Sequence, residues 1–221
     1  MAIDYINKSF ESTSTAATKT TAMGISAKAG SLIVLFVGGQ ASGTLSLSSV
    51  SDTKGGAWNI VNNSGSTMVA IAWKRTSVAM TTSDTITRVL SKTASASWMS
   101  CHVFEKAGST LIDYVSSNAT STQAYVTPTV TGSDWLALSI AYFPSSASMT
   151  TTDVDSSVSR DDSGAANPYS EVWSCNGTSG TSTRIGATIA SSKYRRVIGI
   201  TLPFQAMPGS GGRGTQSFFS Q

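Results

Sequence analysis

The single histidine is the first residue to test for chemistry. His102 lies in the alternating stretch from Trp98 to Phe104, where it shares a strand face with Ser100 and Phe104. A hydroxyl and an imidazole on one face offer a nucleophile and a base. A Ser-His-Asp triad would also need a supporting motif, and the chain has no Gly-x-Ser-x-Gly elbow. Nor does one histidine make a zinc site, because neither Cys101 nor Cys175 has a close-spaced Cys or His partner. The candidate ligands for a hard cation are Asp153, Asp155, Asp161 and Asp162, which with loop carbonyls could supply oxygens to calcium. They lack EF-hand spacing, and acids in turns usually cap or solvate. Paired glycosidase carboxylates can come from distant strands, and nothing in the sequence points to such a pair. Phosphate-cradling loops are absent, since the glycines from Gly209 to Gly214 precede no helix. The expectation is a protein with no catalytic residues and no cofactor.

Recognition by aromatics is the remaining chemistry. Trp73, Trp98, Trp135 and Trp173 lie inside strand-like runs and are expected in the core. Trp58 follows Lys54-Gly55-Gly56-Ala57 and is expected near a loop tip, where with Asp52 it could contact a glycan.

The elements that must position these groups are strands. No window shows apolar residues at helical spacing. Leu32 to Val37 is a continuous apolar run closed by Gly38-Gly39, as expected of a central strand covered on both faces, and Trp135 to Phe143 repeats it up to Pro144. Turn clusters separate the runs, among them Asp52-Thr53-Lys54-Gly55-Gly56, Asn62-Asn63-Ser64-Gly65 and Asp161-Asp162-Ser163-Gly164. About seven strands per half are expected.

Much of the chain reads twice. Ile3-Asp4-Tyr5-Ile6 returns as Ile112-Asp113-Tyr114-Val115, Gly30 to Phe36 matches Gly132 to Leu138, and Met68 to Trp73 falls opposite Ser170 to Cys175. Thr76-Ser77 and Thr178-Ser179 keep that register, and Val103-Phe104-Glu105 aligns with Pro203-Phe204-Gln205. This pattern predicts an all-β, antiparallel, jelly-roll-like sandwich over residues 1–205, built from pseudo-repeats 1–108 and 109–205. The alternative is two tandem small sandwiches. The short link from Glu105 to Thr110 favours one sandwich over two independent domains. Residues 206–221 form an extended arm in which Arg213, Phe218 and Phe219 are expected to dock on a partner, since paired aromatics and arginine anchor interfaces. Met1 to Phe10 is a second candidate contact strand.

Ser and Thr make up 69 of the 221 residues and only 12% are charged, so the surface is neutral and rich in hydroxyls. A net charge of +3 without a basic stripe argues against nucleic acid. No run reaches the roughly 18 apolar residues that cross a bilayer. Met1-Ala2-Ile3-Asp4-Tyr5 does not start a signal peptide, so synthesis in a cytosol is expected, with Cys101 and Cys175 as buried thiols.

The combination of Gly30-Ser31-Leu32-Ile33-Val34-Leu35-Phe36-Val37, then Val50-Ser51-Asp52-Thr53-Lys54-Gly55-Gly56-Ala57-Trp58, then Met68-Val69-Ala70-Ile71-Ala72-Trp73 resembles a class of tailed-bacteriophage virion proteins. In that class a Ser-Asp-x-x-Gly-x-x-Trp turn joins one strand to the next, and the half-pattern commonly occurs twice. The likeness spans about residues 1–205. The second half departs from it, because Asp153 to Asn167 carries no Gly-x-x-Trp and Tyr169 occupies the area. The resemblance implies a non-enzymatic protein on the virion exterior, as a capsid decoration or a minor tail protein. Its partners would be other virion proteins and further copies of itself, and a host-surface glycan is the alternative partner.

Overall fold

In a computed structural model the chain is all-β, with every strand pairing antiparallel. The structure describes residues 3–130, 134–144, 151–155, 157–163, 169–177 and 182–208. Arg213, Phe218 and Phe219 therefore lie outside the described residues, as do Met1, Thr178-Ser179 and Gly164. The first half contributes β1 (Asp4–Thr13), β2 (Thr18–Ala22), β3 (Leu32–Leu45), β4 (Leu47–Asp52), β5 (Asn59–Asn63), β6 (Gly65–Arg75), β7 (Thr85–Leu90) and β8 (Ala96–Glu105). The second contributes β9 (Asp113–Val126), β10 (Trp135–Phe143), β11 (Thr151–Asp153), β12 (Val158–Asp162), β13 (Tyr169–Gly177) and β14 (Ile185–Pro203).

One sheet runs β1-β8-β3-β6-β5, and the second sheet has β14-β10-β13-β12 with β9 on the outer side of β14. Matching β1, β8, β3, β6 and β5 with β9, β14, β10, β13 and β12 gives the same order. A small sheet, β2-β7-β4, covers the first sheet's outer face. In the second half the ends of two long strands do this work: Ala124 and Val126 of β9 and Ile185, Ala187 and Ile189 of β14 enclose an outer core, with β11 paired to β14. The expected seven strands per half thus become eight and six.

The continuous apolar runs follow from this layering. Leu32, Val34 and Phe36 of β3 point into a core shared by the two large sheets, while Ile33, Leu35 and Val37 point into the first half's outer core. β10 divides likewise, with Leu136, Leu138, Ile140 and Tyr142 inward and Trp135, Ala137, Ala141 and Phe143 outward. Strands buried on both faces lose the alternation of a half-exposed strand. The sheets approach closely at Gly38, where a Cβ would lie 2.4 Å from the Tyr142 ring. Side chains of 98, 73, 135 and 173, all tryptophan, are buried as the sequence predicts.

One detail of the internal match is a residue out. Val34 pairs with Trp73, and its counterpart Leu136 pairs with Asn176 rather than Cys175. A one-residue slip reverses the face a side chain takes. Trp73 accordingly lies in the shared core, whereas Trp173 and Cys175 face the outer one.

The halves meet reciprocally. Tyr5 of β1 sits under Arg160 of β12, and Tyr114 of β9 donates its hydroxyl to the carbonyl of Asn62 in β5 at 3.0 Å. The first strand of each half therefore rests against the strand at the far edge of the other half's sheet, and the repeated Ile-Asp-Tyr segment supplies the tyrosine on both sides.

Cys101 and Cys175 are free and buried, in different outer cores. Burial pushes both thiols up. Neither is expected to react with a disulfide reagent in the native protein, and both are expected to react after unfolding in guanidinium. Thiol titration under the two conditions checks this.

Candidate functional site

The densest polar cluster lies at the seam between β1, β8 and β12. His102 and Ser100 stand two apart on β8, so the pleat sets both side chains on the face that meets the second half. Ser100 Oγ is 2.5 Å from Asp161 Oδ2 and 2.7 Å from His102 Nε2, and Tyr5 Oη is 3.1 Å from His102 Nδ1. A carboxylate only accepts, so Ser100 spends its one proton on Asp161 and must accept from His102 Nε2–H. The other ring nitrogen then accepts from the Tyr5 hydroxyl. The result is a directed chain from Tyr5 through His102 and Ser100 to Asp161.

Cations close its outer end. Lys8 Nζ lies 2.7 Å from Asp161 Oδ1 and 3.2 Å from Glu11 Oε2, and Glu11 also accepts the indole N–H of Trp98 at 2.7 Å. Arg160 lies over the Tyr5 ring at 4.2 Å and donates from Nε to Ser174 at 2.6 Å. Burial holds His102 neutral, lowering it to about 3, and the charges of Lys8 and Arg160 push the same way. Burial raises Asp161 against the hydrogen bonds from Lys8 and Ser100, and burial also raises Tyr5. An open polar cleft of about 440 Å³ lies outside the cluster, lined by Lys8, Glu11, Ser159, Arg160, Asp161, Asp162 and Ser163.

This arrangement is poor for nucleophilic catalysis. In a triad the imidazole stands between hydroxyl and carboxylate and takes the hydroxyl proton. Here the hydroxyl stands between the other two, and Ser100 and His102 are both wholly buried. What the chain does is satisfy buried polar groups across the seam, joining residues 61 and 153 positions apart.

The calcium candidates are not brought together. Asp153 accepts from Trp173 Nε1 at 2.9 Å and from the amide of Ser159 at 3.2 Å. Asp155 forms an exposed ion pair with Arg184, Asp161 belongs to the seam, and Asp162 lines the cleft. Among the described residues no three His, Cys, Asp or Glu side chains converge as a metal site.

The glycan candidates turn inward. Asp52 ends β4 and its side chain is fully enclosed, 2.5 Å from Lys74 Nζ and 2.8 Å from the Trp58 indole nitrogen. Its other oxygen accepts the amide of Lys54 at 2.9 Å, shaping a turn in which Gly55 and Gly56 take positive φ. Lys74 also reaches the carbonyl of Gly55 at 2.6 Å and lies over the Trp58 ring. The half-buried Trp58 packs on the outer core. The Asp-x-x-Gly-x-x-Trp spacing is thus a turn-locking device in which aspartate holds both the lysine and the tryptophan.

No protein family, characterised protein sequence or solved structure matches this chain. The site therefore has to be read from its own geometry. Two of its features escaped sequence reasoning. Asp161 meets Ser100 only because the second half folds over the first, which no local pattern signals. Trp173 takes the indole role toward Asp153 that Trp58 takes toward Asp52, but from β13 rather than from the turn, so the missing Gly-x-x-Trp concealed it.

Proposed function

We propose that this chain is a non-enzymatic structural protein on the exterior of a tailed-phage virion, decorating the capsid or forming a minor tail component. The observation that supports a structural role is the internal saturation of its Tyr5–His102–Ser100–Asp161 chain. Each group capable of acid–base work there is committed to a neighbouring side chain, and the Ser100–Asp161 bond joins the two halves. The segments that resemble virion proteins support the location, and their Asp52–Trp58 turn serves stability. In this reading residues 1–205 are one jelly-roll-like sandwich built from two pseudo-repeats, and the arm of residues 206–221, with Arg213, Phe218 and Phe219, attaches the particle-bound subunit.

Quantifying the protein in purified virions tests this. Stoichiometric attachment is expected, and it should be lost when residues 209–221 are removed while the folded β-sandwich remains. Glycan binding is expected to be absent on an array. Specific sugar binding that disappears in Trp58→Ala would replace this reading with a host-attachment module.

A further inference from the structure

The most unusual surface element is the free edge of β9. Among the described residues β9 pairs with β14 alone, so its other edge has no strand partner from Asp113 to Val126. An exposed edge invites pairing with another chain, and proteins normally blunt it with charge, bulges or brevity. β1, its counterpart in the first half, has such protection: Lys8 and Glu11 lie on it, and its register shifts twice, between Tyr5 and Asn7 and between Lys8 and Phe10. β12 carries Arg160, Asp161 and Asp162 with a shift of its own. β2 carries Lys19, the register of β4 shifts between Leu47 and Ser49, and β5 and β11 are only 5 and 3 residues long.

Beyond its first residue β9 has neither charge nor brevity. From Tyr114 to Val126 it contains no Asp, Glu, Lys, Arg or Pro. Its ladder does break opposite β14, but the inserted residues between Thr188 and Lys193 belong mainly to β14. Asp113, at the start, is turned to the amides of Tyr114 and Thr129. From the other sheet the Asn63 side chain donates to the Ser117 carbonyl at 3.4 Å and the Asn62 carbonyl accepts the Tyr114 hydroxyl, while within the second half Arg195 donates to the Gln123 carbonyl and the Gln123 amide donates to Ser121 Oγ at 3.0 Å.

We infer that two copies of this chain associate by antiparallel pairing of their β9 edges about a two-fold axis near Thr120. A second copy fits the edge because a two-fold axis at Thr120 sets Thr120 against its own copy, Asn118 against Thr122 and Ser116 against Ala124, all of them uncharged. A charge at position 120 would face its own copy, and from Tyr114 to Val126 β9 carries none. Of the exposed side chains near the axis, the Thr120 hydroxyl can hydrogen-bond to its own copy and the Asn118 amide to the Thr122 hydroxyl of the second copy. The pairing would continue the second sheet into its symmetry mate and remove the edge from both.

The test uses the full chain and the exposed position Thr120. Sedimentation or light scattering should give the wild type twice its 22.9 kDa chain mass. Thr120→Lys and Thr120→Glu should each give a single chain mass with unchanged circular dichroism and melting, and an equimolar mixture of the two should recover the doubled mass. A wild type that stays single up to its solubility limit overturns the inference. So does a dimer that survives Thr120→Lys, or one that is lost only when residues 209–221 are deleted, which would make the arm the occupant.

Discussion

Asp52→Ala is expected to lower folding stability by about 3–5 kcal/mol, the usual result of removing one partner of a buried ion pair. Lys74 would keep its charge in a setting where it is 5% exposed, with only the Gly55 carbonyl remaining from its two oxygen contacts. The Trp58 N–H and the Lys54 amide would lose their acceptor as well. For a chain of this length such a loss lowers the melting temperature by roughly 6–20 °C. The cycle with Lys74→Met separates charge from packing. Asp52→Ala/Lys74→Met removes the stranded ammonium and should be more stable than Asp52→Ala alone, a non-additivity expected of residues in contact. Trp58→Phe keeps the ring and forfeits one hydrogen bond, for about 1 kcal/mol. Urea denaturation of the four variants measures all of this. A loss below about 1 kcal/mol for Asp52→Ala would mean the pair is solvated, contrary to its enclosure.

The same residues show what was legible in the sequence. The double-faced strands β3 and β10 announced themselves, because burial on both faces leaves an uninterrupted apolar run. The recurrence of Ile-Asp-Tyr marked strands that hold matching positions in two sheets of the same order. Face was harder to read. In β6 and β13 nearly every residue is buried, so hydrophobicity could not distinguish a register one residue out, and Trp73 and Trp173 entered different cores. Asp52 and Trp58 were visible as a motif, but the partner that turns them inward, Lys74, lies on a strand 22 residues away. The seam was the least legible part. Its bonds depend on how one sheet settles on the other, and an isolated Asp161 in a turn-rich acidic segment looks like a solvated residue.

That seam should make the protein acid-sensitive. His102 titrates near its ordinary value of 6.5 when unfolded, and burial followed by the charges of Lys8 and Arg160 lowers it to about 3 in the fold. Because the folded value is depressed, the unfolded chain binds the proton first. Between about pH 6.5 and about pH 3 stability must fall as pH falls, by at most about 1.4 kcal/mol per unit, and the contribution is intact above that window. Asp161 acts in the opposite sense. Its value is raised by burial, so its protonation favours the fold and offsets part of the loss at the acidic end. Asp84, Asp113 and Asp155 are lowered, chiefly by hydrogen bonds from Thr81, Thr129 and Arg184 respectively, and their stabilisation also disappears in acid. These groups are common to wild type and His102→Gln, so the difference between the two isolates the histidine. Glutamine can still accept from Tyr5 or donate to Ser100 but cannot titrate. The advantage of wild type over His102→Gln should therefore shrink by about 3 kcal/mol between pH 7 and pH 4. Urea midpoints across that range measure it, and a constant difference would mean that the imidazole is not held neutral by the seam.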